Sequence, residues 1–580
     1  MKKLIALCIA LTGLCATRTM SQTRTVELKV IETSDVHGHF FPYDFIEGRE
    51  LRGTLARAST YINRQRQHYG DRLLVLDNGD ILQGQPCTYW SNYVMPEDEN
   101  LAASVVNYLG YDAETFGNHD VETGHKVYDK WIREVRCPML GANIVDTSSE
   151  LPYVRPYALI ERDGVRIAIL GMLTPTIPCW LNESLWQGLE FQEMVSCAKR
   201  WVKYIQQVEH PDLILGLFHS GLNGGITMEN GIEEDATERV AQEVEGFDAI
   251  FFGHDHMVHN VTLKSPGGRD VLCLDPSCYV LNVAEATIRL TYEGDRLVGK
   301  DIRGEIVDVR QEEVDEQMVA HFQPTIDRIK EYVGRRIGHF ATTVGTRDCY
   351  FGPSAFTDFV HELQLRISGA DISFNAPLSF DSKIEKGPVT VAAMFKLYRF
   401  ENQLYVMKMT GREIRGHLEL SYDRWVNTMT GPDDHLLLLN DESRGDQQRM
   451  GFRNYTFNFD SASGIDYEVD VTKPDGEKVR ILRMSNGEPF DENKMYRVVM
   501  NSYRANGGGD LIIRGGGIPK DSLPGRTVYQ SELDLRHYLM EEIERQGTVH
   551  PKAAKNWKFV PEKWTKAAAK RDRLLVFGKD

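Results

Sequence analysis

At 580 residues, with 42% hydrophobic and 26% charged side chains, the chain has the composition of a globular protein large enough for two or more domains. Its 67 basic and 84 acidic side chains leave a net charge of −17, which argues against a polynucleotide as the main ligand, because binding to a phosphate backbone rests on basic surface. A small phosphorylated ligand stays open, since bound cations can supply positive charge locally.

Residues 1–21 read as a secretory signal peptide. Lys2 and Lys3 precede an apolar run from Leu4 to Ala16 that is too short to span a bilayer. Thr19-Met20-Ser21 offers a cleavage site and sets the mature start near Gln22. Cys15 offers a lipid-anchored alternative, but Leu14 stands before it, where a small residue is expected. No later run of about 18 apolar residues follows, so no transmembrane segment is expected. The expectation is a protein secreted across the inner membrane into the periplasm. Past the signal, Cys87, Cys137, Cys179, Cys197, Cys273, Cys278 and Cys349 form no disulfide framework and read as buried small hydrophobes.

The pattern of the first half is an apolar run that stops at a polar cluster, repeated. Val26–Ile31 alternates like a half-buried strand and leads into Asp35-Val36-His37. Leu73–Leu76 ends in Asp77-Asn78-Gly79-Asp80, and Phe116-Gly117-Asn118-His119-Asp120 follows the helical stretch Leu101–Leu109. Leu213–Phe218 ends in His219-Ser220-Gly221, and Ala249–Phe252 ends in Gly253-His254-Asp255-His256. Met194–Val208 also has helical spacing. Short apolar runs closed by turn residues read as buried strands of an α/β sheet, whose ligands collect beyond the strands' carboxyl ends. Each cluster alone would read as a helix cap or a core histidine; the series points to one shared site.

Asp35, Asp80 and Asn118 offer oxygens, and His37, His219, His254 and His256 offer imidazoles, too many donors for one ion. They suit two divalent cations bridged by a carboxylate, which act on in-line displacement at phosphorus. Mixed nitrogen and oxygen donors fit zinc, manganese or iron better than calcium.

These five blocks, in this order, resemble the calcineurin-like metallophosphoesterases, and their longer spacings resemble the secreted bacterial nucleotidase branch. That branch holds the 5′-nucleotidases and the 2′,3′-cyclic-nucleotide 2′-phosphodiesterase/3′-nucleotidases. The resemblance implies a four-layer α/β (α+β) sandwich over residues 22–309. It implies one metal on Asp35, His37 and His256, a second on Asn118, His219 and His254, and Asp80 as the bridge. It implies that His119 meets the phosphoryl group as a catalytic residue. Many 5′-nucleotidases orient this histidine with an Asp three residues on; here Glu122 stands there, either a longer substitute or a solvated helix residue.

Residues 310–337 read as a helical connector, with Val314, Met318, Phe322, Ile326, Ile329 and Val333 at helical spacing and Pro324 expected to kink or split it. In the resembled branch such a helix lets the second domain swing. Residues 338–560 read as a second α/β domain and 561–580 as a tail. In that domain Ala355–Ile367 is an amphipathic helix closed by Gly369, Ala370–Asn375 and Leu404–Met409 are strands, and Thr410-Gly411-Arg412-Glu413 is a capping box. The domain holds no metal constellation and resembles the carboxy-terminal nucleotide-binding domain of the same branch. The resemblance implies a base sandwiched between Phe400 and Tyr503, with Asn118, Asn375 and Asp510 among the substrate contacts. Stacking on aromatic faces is worth about 1–3 kcal/mol per base.

The cyclic branch is favoured. Asn375-Ala376-Pro377-Leu378-Ser379 lacks the arginine that 5′-nucleotidases carry there. Phe457-Asn458-Phe459-Asp460, Gly464-Ile465-Asp466-Tyr467 and Tyr503-Arg504-Ala505 look more like the cyclic-phosphodiesterase/3′-nucleotidase group. Asp510 is displaced by an extra glycine from the acidic position 5′-nucleotidases use on the ribose. The alternatives are a 5′-nucleotidase/UDP-sugar hydrolase, a metallophosphoesterase for another substrate, and a nucleotide-binding ectodomain whose catalysis has lapsed. Metal identity, base preference and oligomeric state stay open.

Overall fold

The strand Thr23–Thr33 pairs in parallel with Leu73–Asp77, Ile31 opposite Val75, and antiparallel with Asn282–Glu293, Val30 opposite Ala286. The computed structural model describes residues 23–228, 230–441 and 449–578; the expected signal peptide lies outside them. The first sheet runs Arg296–Asp308, Asn282–Glu293, Thr23–Thr33, Leu73–Asp77, Ala113–Thr115, Met139–Leu140. The second runs Val258–Lys264, Asp270–Pro276, Ala249–Phe252, Leu213–His219, Val165–Leu173, Tyr157–Arg162.

Leu28, Val30, Leu74 and Leu76 of one sheet share a buried core with Ile167, Ile169, Leu215 and Phe251 of the other. Each such side chain is worth about 1.5–3 kcal/mol when fully buried. Helices Leu55–Tyr69 and Leu101–Leu109 cover the first sheet's outer face, and Met194–Val208 and Thr237–Glu243 cover the second's. The result is the expected four-layer sandwich. Its parallel strands end together, at Thr33, Asp77 and Thr115 in one sheet and at His219 and Phe252 in the other, so the polar loops gather at one edge.

The connector is a helix, Glu316–Gly334, capped by Asp315, whose side chain accepts from the backbone N–H of Gln317 and Met318. Met318, Phe322, Ile326, Ile329 and Val333 bury against the first domain, with the Phe322 ring 5.5 Å from that of Phe41. Pro324 does not split this helix. Pro324 and Ala320 are exposed, so the carbonyl that proline leaves without a helical partner belongs to a residue facing water.

In the second domain the helix Ala355–Ser368 ends at Gly369 in the left-handed conformation, φ 58°. The sheet runs Ser461–Ser463, Ile372–Asn375, Met495–Asn501, Gln403–Thr410, Thr527–Asp534. The capping box forms: the Thr410 hydroxyl accepts from Glu413 N at 3.2 Å, and Glu413 Oε2 accepts from Thr410 N at 2.7 Å. The segment expected as a tail is instead largely a helix, Glu562–Phe577. It docks by Asp572, which accepts from Leu436 N and Leu437 N, and by Phe577, stacked on Phe380 at 5.0 Å.

The domains touch through Lys396 and Glu47 at 2.6 Å, the Tyr89 hydroxyl and Asp534 at 3.0 Å, and Arg399 and the Tyr279 hydroxyl at 2.7 Å. The seven cysteines of the described residues are free thiols, and all but Cys137 are buried. No helix of the described residues is long and apolar enough to cross a membrane.

Candidate metal centre and substrate cleft

Asp35, His37, Asp80, His254 and His256 all take positive φ, between 47° and 89°. Such a backbone costs about 1–3 kcal/mol per residue and persists where its surroundings fix it. Here Asp35 N donates to Gly79 O at 3.1 Å and His37 N to Asp80 O at 2.8 Å. A side chain on Gly117 would collide with the Asp80 carboxylate, and one on Gly253 with Ser34 and Asp35, so these turns need glycine. Asp120 braces the Asp80 turn, accepting from the backbone N–H of Asp80, Ile81, Leu82 and Gly117 at 2.8–2.9 Å.

Asp35, His37, Asp80 and His256 bring ligand atoms within 4.8 Å of one another. His256 Nε2 lies 3.2 Å from Asp35 Oδ1 and 3.2 Å from His37 Nε2. On the other side of Asp80, His219 Nε2 lies 3.3 Å from Asp80 Oδ2 and 3.2 Å from Asn118 Oδ1. Asp80 Oδ2 is also 3.8 Å from His37 Nε2, so the two expected sets meet at this carboxylate. His254 stands further out, its ring 5.3 Å from that of His219 and its Nε2 2.9 Å from Glu234 Oε1.

These residues fit divalent cations. Asp35 Oδ1 is buried without a hydrogen-bond donor, and an anionic oxygen left so is costly unless a cation takes it up. His37 Nδ1 donates to Gln83 O at 3.1 Å and His219 Nδ1 to Asn78 O at 2.6 Å, which turns both Nε2 lone pairs toward Asp80. Burial pushes the His37 imidazole down to about 3, which keeps it neutral, whereas at His219, His254 and His256 the surrounding carboxylates outweigh burial and favour the protonated ring, so a cation bound there would have to displace those protons.

His119 lies beside this centre, its backbone N–H donating to Asp80 Oδ1 at 2.8 Å. Its Nδ1 lies 2.6 Å from Glu122 Oε2, so Glu122 reaches the ring as the longer substitute. Tyr279 closes the neighbouring wall, stacked on His39 at 4.8 Å and 5.5 Å from the His37 ring, with its hydroxyl on Arg399 of the second domain.

Phe400 is half-buried, and its neighbour Glu401, pushed up to about 7 by burial against the pull of Arg536, lies within electrostatic reach of Glu122 and His119. Tyr503 is half-buried and within electrostatic reach of Glu234. No ring contact joins Phe400 to Tyr503; the Tyr503 ring meets Phe457 edge-on at 6.0 Å, and Phe457 stacks on Tyr455 at 5.2 Å. Asn375 is buried at the end of its strand. Asp510 is half exposed and loosely paired, 3.8 Å from Arg424 and 3.7 Å from Arg514.

Comparison with known proteins decides the family. Residues 28–258 match the calcineurin-like phosphoesterases, and residues 336–513 match the 5′-nucleotidase C-terminal domain. The chain belongs to the calcineurin-like metallophosphoesterases that carry a 5′-nucleotidase C-terminal domain. This metallophosphoesterase is 27% identical over 598 residues to the trifunctional nucleotide phosphoesterase protein YfkN of Bacillus subtilis, covering 92% of the present chain. It spans 39% of that protein's length. It is 26% identical over 605 residues to the 2′,3′-cyclic-nucleotide 2′-phosphodiesterase/3′-nucleotidase of Haemophilus influenzae, covering 92% of the one and 88% of the other. The crystal structure of a 5′-nucleotidase precursor from Thermus thermophilus shares the fold, with a TM-score of 0.61 at 20% identity over 93% of the metallophosphoesterase and all of the neighbour. The metallophosphoesterase is therefore a hydrolase of the nucleotidase family.

Sequence reasoning left Glu234 unnoticed, and it gave Asp120 and Tyr279 no role. Asp120 had a signal, a carboxylate three residues after a turn glycine, where it can close back on backbone N–H groups. Glu234 sits in an acidic run, Glu233-Glu234-Asp235, within a glycine-rich hairpin that reads as solvated surface.

Proposed function

We propose that this metallophosphoesterase opens 2′,3′-cyclic nucleotides to 3′-nucleotides and hydrolyses 3′-nucleotides, using two divalent cations. Asp35, His37 and His256 would hold one cation and Asn118, His219 and His254 the other, with Asp80 between them. Such a pair lowers the pKa of water and draws charge from a phosphoryl group. His119, oriented by Glu122, donates its proton to the departing ribose oxygen or steadies the phosphoryl charge. Phe400 and Tyr503 hold the base from the second domain, and Asn375 and Asp510 lie in the same domain.

The observation that carries the cyclic-nucleotide reading is Arg504. It binds both Asp460 oxygens at 2.8 and 3.0 Å, Phe457 O at 2.9 Å and Asn458 Oδ1 at 3.1 Å. Two of the stretches that resemble the cyclic branch, 457–460 and 503–505, are thus one clamped unit beneath Tyr503, and the Haemophilus relative bears that activity in its name. We further place the protein beyond the inner membrane, in the periplasm, on the reading of residues 1–21.

A substrate panel tests this. Stripped with chelator and resupplied with manganese or zinc, the protein should turn over 2′,3′-cyclic AMP and 3′-AMP faster than 5′-AMP. A preference for 5′-AMP would favour the 5′-nucleotidase alternative. No turnover of any of the three with metal bound would defeat the catalytic reading.

A further inference from the structure

Each histidine of the metal centre can offer only one nitrogen inward, and the partner of its other nitrogen decides which. His37 and His219 give their Nδ1–H to backbone carbonyls, so their Nε2 faces the centre. His254 is turned the other way. Its Nε2 lies 2.9 Å from Glu234 Oε1 and 3.9 Å from Asp235 Oδ1. With that nitrogen donating outward, Nδ1 is the one left for the shared centre; a cation on Nε2 would instead sit with Glu234 and Asp235, whose oxygens lie within 4.8 Å of it.

The carboxylate that does this is itself fixed. Glu234 Oε2 accepts from Ile226 N at 2.5 Å, and the Glu234 carbonyl accepts from Thr174 Oγ1 at 2.9 Å and Ser220 Oγ at 2.8 Å. Gly225, at φ 69°, leaves room for it: a Cβ there would lie 2.6 Å from Glu234 Oε2 and 2.8 Å from Asp235 Oδ2. The side chains of Glu234 and His254 are 14% and 11% exposed, so this is no solvated surface pair. A hairpin staple would need neither the approach to a ring nitrogen nor the carboxylate held at both oxygens.

We infer that Glu234 is a positioning residue for the second cation: by accepting the Nε2–H of His254 it fixes that ring's tautomer and angle and leaves Nδ1 as the metal-binding nitrogen. The inference rests on the ligand set proposed above. A carboxylate behind a ligating imidazole also raises its basicity, and losing such an outer partner typically weakens metal affinity about 10–100-fold.

The test is a manganese titration of the chelator-stripped full chain against a metal buffer, comparing wild type with Glu234→Leu, Glu234→Gln and His254→Ala. The expected result is two ions in wild type and loss of one tight site in His254→Ala. Glu234→Leu should keep one site at wild-type affinity and bind the other about 10–100-fold more weakly. Its metal-free thermal midpoint, read alongside, should stay near that of wild type, which a staple role would not allow. Should Glu234→Leu fold poorly, the isosteric Glu234→Gln, which keeps an acceptor but not the charge, should show a smaller loss at the same single site. Wild-type affinity at both sites in the Glu234 variants, with one site lost in His254→Ala, would overturn the inference alone. Two intact sites in His254→Ala would overturn the ligand set and the inference with it.

Discussion

His119 and Glu122 face each other across one helical turn, Nδ1 to Oε2 at 2.6 Å, within the short helix Asn118–Glu122. The contact leaves Nε2 as the histidine's free nitrogen. Burial disfavours the charged ring, but the Asp80 and Glu122 carboxylates outweigh it and push His119 up to about 9. Cations bound at Asp80 would cancel its share and leave Glu122 to favour the protonated ring, which is suited to giving a proton to a leaving alkoxide.

His119→Ala should therefore lower kcat by about 10²–10⁴-fold. Glu122→Gln should cost less and should move the alkaline limb of the pH–rate profile to lower pH, because it removes a carboxylate that favours the protonated ring. Activity should fall as pH rises through the His119 pKa, not as pH drops through it. Steady-state kinetics from pH 6 to 10 on 3′-AMP read both effects.

Tyr503→Ala should raise KM for nucleotides by an amount matching about 1–3 kcal/mol of lost stacking. Hydrolysis of a simple aryl phosphate ester, which carries no base, should be almost unchanged. Equal losses on both substrates would make Tyr503 a structural residue.

Arg504 is 2% exposed, and Asp460 accepts both from it and from His417 Nε2 at 2.8 Å, a ring stacked on Phe374 at 4.1 Å. Arg504→Met should strand the Asp460 charge and destabilise the second domain by about 3–5 kcal/mol. Chemical denaturation should show the loss, while metal content, set in the first domain, should not change.

His361 is buried between Ser373 and Ser461, at 2.8 and 3.2 Å, and burial pushes its pKa down to about 3. The folded state excludes a proton that the unfolded chain binds below about pH 6.5. Stability from this group is full above that pH and falls by about 1.4 kcal/mol per pH unit on acidification toward 3. His361→Gln should be less stable than wild type at pH 7, with the gap narrowing by about 2 kcal/mol at pH 5. Urea midpoints at the two pH values measure it.

The loops at the strand ends were legible because apolar runs stop where ligand types begin, and a parallel sheet brings such ends together. The outer partners were not. Glu234 reaches His254 from a hairpin, Gly224–Thr227 with Glu233–Asp235, that has no apolar period to place it. The helix Glu562–Phe577 escaped notice because its buried positions are Thr565, Ala568 and Asp572, small or polar side chains that draw no hydrophobic stripe. Whether Glu122 reached His119 depended on a side-chain length and a helical turn, which only coordinates could decide.

The central claim is that two cations share Asp80. Anomalous scattering from manganese-loaded crystals tests it most directly. The account predicts two peaks about 3.5–4 Å apart, one beside Asp35, His37 and His256, the other beside Asn118, His219 and His254, both within bonding distance of the Asp80 carboxylate. A single peak, or peaks confined to the neighbouring Asp255, His259 and Asp275 cluster, would contradict it.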